Sequence, residues 1–276
     1  MKLSILIVSY NVGHLLRRCL TELAGSESGV AARPPFEVVV VDNASTDPEV
    51  LEVRESFPSV TWVQFSRNLG FSAAVNAGAA AATGEYYLLL NPDTELSCDK
   101  VSAMVDAFVG VPGASAMGYR QVDEFGEVQL SVGLEPGYFS ELGRKFLQRR
   151  FDRGGRWARA VVERWLQVTR PVSWVAGSAL MVRRNDFEQI GGFDEGFFLY
   201  FEDIDFCLRL ARRVGPVYFE PAITLVHRRG QSAKTNSVQA EAAYRRSQLY
   251  FWGKHRGWIH QQVMKNYLRL RGQSPD

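Results

Sequence analysis

Cysteine is scarce in this chain: three residues in 276, Cys19, Cys98 and Cys207, far apart and with no CxxC pair. That excludes a disulfide scaffold and a zinc site legible from spacing, and it suits a reducing cytosol. A dominant charge is missing too. Thirty-two Lys and Arg stand against 30 Asp and Glu, a net +2, so no overall field draws the chain to nucleic acid. No apolar run approaches the roughly 18 residues that span a bilayer. Met1-Lys2 lead straight into an apolar strand, without the layout of a signal peptide. The expectation is a cytoplasmic protein. Two phosphate motifs are also absent. The first strand ends in Ser9-Tyr10-Asn11-Val12-Gly13, not the GxGxxG of a dinucleotide fold, and no GxxxxGK[ST] loop occurs. A bound diphosphate would have to be neutralised by a metal or by side chains.

What is present is an ordinary globular composition, 46% hydrophobic and 22% charged, which rules out a disordered, collagenous or coiled-coil chain. Lys2 to Tyr10, Phe36 to Val41, Val60 to Phe65 and Tyr86 to Leu90 read as short, continuously apolar strands. Helical patterns follow them: Leu15 to Leu23, Glu49 to Phe57, the Ala-rich Gly70 to Thr83, and Cys98 to Val109. Alternating strands and helices, with strands apolar on both faces, predict a parallel, doubly wound sheet covered by helices. Beyond Pro112 the rhythm changes. Ser115 to Tyr119, Val128 to Val132 and Val172 to Val182 read as strands of a mixed region, and residues 138–170 and Asp203 to Val214 as helical. Charge is segregated. Residues 138–170 hold nine Lys/Arg against Glu141, Asp152 and Glu163, and residues 244–276 hold seven against Asp276, +6 in each.

In an open α/β sheet ligands sit beyond the carboxyl ends of the strands, where this sequence concentrates its polar groups. Asp42 at the end of the second strand can accept from a pyrimidine imide or a ribose hydroxyl, while Asp47 before Pro48 is a helix cap. Asp93 in Asn91-Pro92-Asp93 stands where a hard divalent cation bridging diphosphate oxygens would be held. Arg67-Asn68-Leu69-Gly70 precedes the Ala-rich helix, which contains Asn76, and that helix start offers N–H groups to an anion. Glu202, Asp203 and Asp205 lie among aromatics. Burial there raises a carboxyl toward base competence, which favours Asp203, whereas Asp205 and Arg209 make an i,i+4 pair. His227, among Arg228, Arg229 and Gly230, suits a diphosphate or a metal. Trp174 reads equally as core or as a sugar-stacking platform.

In their order these segments resemble the family 2 glycosyltransferases of GT-A fold, and within them the bacterial rhamnosyltransferase-like branch. The segments are IVSYN (7–11), VDNASTD (41–47), RNLGFSAAVNAG (67–78), LLLNPDT (88–94), GSALMVRR (177–184), IGGFDEGFFLYFEDIDFCLRL (190–210) and His227 to Ser232. The resemblance covers roughly residues 1–235. It implies a Rossmann-like, mostly parallel central sheet flanked by helices, with a mixed acceptor-side region and C-terminal helices. It implies a nucleotide-sugar-binding half at 1–112, an acceptor and catalytic half at 113–235 and a helical extension at 236–276. The activity implied is metal-dependent, inverting transfer from a nucleoside-diphosphate sugar. Ser9, Tyr10, Asn11 and Asp42 then match the nucleotide pocket, with Asn68, Asn76 and Asn91 on the donor side. Asp93 matches the last acid of the family's DxD motif, the first being replaced by Asn91; Mg²⁺ or Mn²⁺ would be held by Asp93 with His227. Asp203 matches the general base, with Glu202 beside it. Trp174, Gly177 and Tyr200 match the acceptor and sugar pocket.

The leading reading is therefore a hexosyltransferase of bacterial cell-surface polysaccharide synthesis, with dTDP-L-rhamnose as donor and a glycan or lipid-linked hydroxyl as acceptor. A sugar-1-phosphate nucleotidylyltransferase would need a Gly- and Arg-rich loop after the first strand, which Ser9 to Gly13 do not supply. A non-catalytic nucleotide- or glycan-binding relative would lose Asp93 or Asp203 first, and both are present. The two basic segments, with Trp157, Trp165, Trp252 and Trp258 in or beside them, read either as solvated helix faces or as a peripheral patch for anionic membrane. The C-terminal helices leave room for a homodimer.

Overall fold

The structure, a computed structural model, describes residues 2–25, 36–137, 162–228 and 237–272. The expected helical stretch at 138–161 and residues 229–232 of the His227 segment lie outside them. The chain opens with β1 (Leu3–Ser9), α1 (Gly13–Ala24), β2 (Phe36–Asp42), α2 (Pro48–Ser56), β3 (Thr61–Gln64), α3 (Phe71–Ala81) and β4 (Tyr86–Leu90). These strands run parallel in the order β3-β2-β1-β4. The register aligns Ser9 with Asp42 and Asp42 with Gln64, so the strand ends form one rim.

The chain continues through β5 (Thr94–Glu95), α4 (Cys98–Val109), β6 (Ala116–Val122), β7 (Val128–Gln129), β8 (Val132–Gly133), β9 (Arg170–Val172), β10 (Trp174–Val175) and β11 (Ala179–Arg183). It ends with α5 (Arg184–Gln189), α6 (Glu202–Arg213), β12 (Val217–His227), α7 (Ser237–Arg256) and α8 (Trp258–Leu270). β11 lies antiparallel between β4 and β6, and extends the sheet toward β12 and β5. One sheet therefore runs through both halves. β8 and β10 form a separate two-stranded ribbon.

Alternation along each strand explains why both faces are covered. Leu6, Val39, Leu89 and Leu180 point to the face packed by Val75 and Ala79 of α3, Phe187 of α5 and Phe206 and Leu210 of α6. Ile5, Ile7, Val40 and Leu88 point to the other, against Leu16, Cys19 and Leu20 of α1 and Met104 and Phe108 of α4. A third cluster joins Phe197, Phe201 and Leu208 to Phe251, Trp252, Met264 and Leu268, and docks the C-terminal helices on α6. No helix among the described residues is long and apolar enough to cross a membrane.

Three expectations are corrected. The single strand expected over Val172 to Val182 is broken into parts of β9, β10 and β11, because the chain turns at Ala176-Gly177-Ser178. The run Val128 to Val132 is likewise split between β7 and β8, which pair with different partners. Arg170, expected to end a helix, begins β9 against Phe219.

Candidate active site

The rim is built from loops that fix one another. Asn11, in the left-handed region at φ 54°, donates its N–H to Ser45 Oγ (2.9 Å), and its Oδ1 accepts from the N–H groups of Thr46 (2.7 Å) and Asp47 (3.2 Å). Asp47 caps α2, accepting from Glu49 N–H at 3.0 Å, and ties Gly13 N–H at 2.8 Å. The buried Asp42 carboxylate accepts from Ser45 N–H (3.0 Å) and Gln64 Nε2 (2.9 Å). Asp42 thus shapes its own turn while standing at the strand end. Ser9, its register partner on β1, is buried, and Tyr10 is exposed.

Asn43, next to Asp42 at the strand end, links this loop to the next. Its amide donates to Asn68 Oδ1 (3.0 Å) and the Gly70 carbonyl (3.1 Å) and accepts from Leu69 N–H (2.9 Å). Gly70 sits at φ 89°, where a Cβ would come within 2.5 Å of the Phe198 carbonyl. The N–H of Phe71, expected to be open to an anion, instead donates to that carbonyl at 2.7 Å. Asn76 is committed to the framework as well. It donates to the Phe193 carbonyl (3.0 Å) and Glu195 Oε1 (2.9 Å), and accepts from Phe193 N–H (2.9 Å).

At the end of β4 the Asn91 N–H donates to the Ser178 carbonyl (3.1 Å), which places Asp93 beside the Gly177-Ser178 turn. Oδ1 of the buried Asp93 lies 3.2 Å from Nε2 of His227, yet among the described residues no donor is aligned on it. Gln129 explains the ring's orientation. Its Nε2 donates to the His227 carbonyl (2.7 Å), which turns its Oε1 toward His227 Nδ1 at 3.1 Å. An Nδ1–H donated to Gln129 leaves Nε2 as the ring nitrogen that faces the carboxylate. Two acceptors so placed need a proton or a cation between them. The pair fits a hard divalent ion that completes its shell with water and phosphate oxygens. Among the described residues no group of three or more His, Cys, Asp and Glu is arranged for a metal, so these two would be its protein ligands.

Across the same turn, Gly177 N–H donates to Asp203 Oδ2 at 3.2 Å, and a Cβ on Gly177 would touch Phe71 and Asp203. Asp203 enters α6 after Tyr200 (φ 69°) and Phe201 (φ 66°), two successive non-glycine residues in the left-handed region. Such strain persists where packing over-determines it. Here Tyr244 packs on both rings (5.6 and 5.3 Å) and Phe251 on Phe201 (5.3 Å). Glu202 is buried with Oε2 unpartnered among the described residues. Burial pushes its carboxyl well above the usual range, and the neighbouring Asp203 carboxylate adds to the effect. Of the two acids, Glu202 is therefore the one whose surroundings favour the protonated form. Trp174 donates its indole N–H to the Leu134 carbonyl (2.9 Å) and lies over Gly133, which fixes the ring on the β8–β10 ribbon. Asp205 pairs with Arg209 as expected (2.7 Å), and also with Lys254 and His255 of α7 (2.7 Å each).

A parallel half-sheet joined to a mixed half, with acids on their common rim, is the architecture of GT-A glycosyltransferases. Two solved structures share it. Staphylococcus aureus TarS 1–349 in complex with UDP-GlcNAc aligns with TM-score 0.58 at 16% identity, over 97% of this chain and 72% of that one. The mannosyltransferase PcManGT from Pyrobaculum calidifontis, in complex with GDP-Man and Mn²⁺, aligns with TM-score 0.56 at 16% identity, over 97% and 79%. The chain belongs to glycosyl transferase family 2, whose family model matches residues 4–191, and it is a glycosyltransferase. The model of glycosyl transferase family group 2 also matches, over residues 147–273. A sequence relative is the N-acetylglucosaminyl-diphospho-decaprenol L-rhamnosyltransferase of Mycobacterium tuberculosis, 30% identical over 93% of this chain and 86% of its own length.

Proposed function

We propose that this glycosyltransferase moves L-rhamnose from dTDP-L-rhamnose to a hydroxyl of a glycan or lipid-linked acceptor, with inversion at the anomeric carbon. The mycobacterial relative's name supports the sugar and the acceptor class. The observation that carries the chemistry is the Gly177-Ser178 turn, whose Gly177 N–H donates to Asp203 and whose Ser178 carbonyl accepts from Asn91, two residues before the Asp93 that faces His227.

Asp42 and Tyr10 receive the nucleotide, with Asn11 and Asn43 keeping their loops in place. Asp93 and His227 would hold Mg²⁺ or Mn²⁺. When bound, that ion offsets the negative charge developing on the leaving diphosphate. Asp203 takes the proton of the acceptor hydroxyl as its oxygen bonds to the anomeric carbon. The bond from that carbon to the diphosphate oxygen breaks on the opposite face, so the configuration inverts. The Gly177 N–H orients the Asp203 carboxylate, and Trp174 and Tyr200 flank the acceptor.

The test is donor hydrolysis by the purified protein, with Mn²⁺ or with EDTA, across dTDP-L-rhamnose, UDP-glucose, UDP-galactose and GDP-mannose. Slow Mn²⁺-dependent release of dTDP alone is expected. Release from another donor would overturn the sugar assignment, and turnover undiminished by EDTA would overturn the metal.

A further inference from the structure

Helix α8 carries two apolar faces. Met264 and Leu268 are buried against the body of the protein. Ile259, Val263, Tyr267 and Leu270 are exposed by 70%, 50%, 42% and 89%. At 3.6 residues per turn these four fall within an arc of about 80°, centred about 120° from the buried face. Trp258, 71% exposed, stands at the helix start. Surface apolar residues scattered singly need no explanation, whereas a contiguous stripe marks an interaction site.

The charges beside the stripe identify its occupant. Arg271 borders one edge of the arc, and Lys265 and Arg269 lie beyond the other. No Asp or Glu occurs from Ala242 to Pro275. A helix with an apolar arc, cationic flanks, an aromatic end and no acid matches the interface of a bilayer with anionic headgroups. A protein partner would be expected to find charges of both signs here. At 13 residues α8 is too short to span a bilayer, so it would lie in the interface plane.

We propose that α8 docks this protein on an anionic lipid surface through Ile259, Val263, Tyr267 and Leu270. The buried side of α8 packs on the cluster that contains Phe201, the residue before Glu202 and Asp203.

The experiment is co-sedimentation of the full chain with vesicles of phosphatidylcholine and phosphatidylglycerol in equal parts, or of phosphatidylcholine alone. Circular dichroism melting and gel filtration of each protein accompany it. Binding to the anionic vesicles is expected, weakened by high salt and reduced at least about tenfold in I259Q/V263Q. The melting temperature of that variant should be unchanged, since both side chains are exposed. Equal sedimentation of the variant would overturn the proposal, as would no sedimentation of the wild type. A wild-type dimer that the variant converts to monomer, without vesicle binding, would assign the stripe to a second copy of the chain instead.

Discussion

Two adjacent acids head α6, and their environments push them apart. Glu202 is buried, which raises its carboxyl well above the usual range, while Asp203 receives the Gly177 N–H at the rim. Only the deprotonated partner can accept a proton from an acceptor. Asp203→Asn should therefore lower transfer by about 10²–10⁴-fold while nucleotide binding persists, as expected for loss of a general base. Glu202→Gln replaces a protonated acid with a neutral isostere and should cost less than about tenfold. Turnover and nucleotide affinity measured on both variants decide it; the reverse ranking would move the base to Glu202. Gln129 orients His227 much as an outer-sphere partner orients a metal ligand. Gln129→Ala should raise the Mn²⁺ concentration needed for half-maximal turnover by about 10–100-fold, with maximal turnover recovered at saturation. An unchanged Mn²⁺ titration would detach Gln129 from the metal. The rim acids were legible because the strand-end rule places Asp42 and Asp93 there. Gln129 and the bridging role of Asn43 were not, since a single amide carries no local signal until its partners, residues 227 and 68–70, are brought alongside.

At the scale of elements, the continuous apolar runs of β1, β2 and β4 and the 3.6-residue periodicity of α1 and α4 were legible because burial on two faces, or on one, imposes those patterns directly. β5 was not, and β7, β8 and β10 were read only as parts of longer strands, all four being two residues long. Strands so short are defined by their pairing and have no period to read. The Asp205–Arg209 pair was legible from i,i+4 spacing, but its cross-helix half was not, because Lys254 and His255 are some fifty residues away. Those contacts make Asp205 a latch between α6 and α7. Burial works against its charge, but hydrogen bonds from His255 and Lys254, with the Arg209 charge, hold its carboxyl at about 2 instead of 3.8. A folded-state value below the unfolded one contributes stability above the ordinary carboxylate range, about 2 kcal/mol here, which is lost as pH falls from about 5 toward 2. Urea midpoints measured between pH 7 and pH 3 should fall accordingly. Asp205→Asn should flatten that dependence and cost about 3–5 kcal/mol at pH 7, because Arg209 and Lys254 lose the carboxylate they share. A variant with wild-type stability at pH 7 would refute the latch.

At the scale of the whole molecule, the C-terminal helices decide whether the catalytic helix holds its shape. The family resemblance reads residues 236–276 as an extension, since its segments end at Ser232. The packing gives them a structural task. Phe251, Trp252, Met264 and Leu268 cover Phe197, Phe201 and Leu208, and Tyr244 with Phe251 props the strained Tyr200–Phe201 corner from which Asp203 emerges. Four large apolar side chains at about 1.5–3 kcal/mol each amount to about 6–12 kcal/mol. That is the size of the net stability of a typical domain, about 5–15 kcal/mol. A chain that stops before Ser237 should therefore lack a cooperative melting transition and expose enough apolar surface to bind a hydrophobic dye. If a fraction still folds, the left-handed corner loses its props and relaxes, so transfer should fall even where nucleotide binding to the β1–β4 half survives. Melting curves and donor hydrolysis on the truncated chain separate the two effects. Wild-type melting together with wild-type turnover would mean that α7 and α8 are an appendage and that the corner is held from within α6 alone.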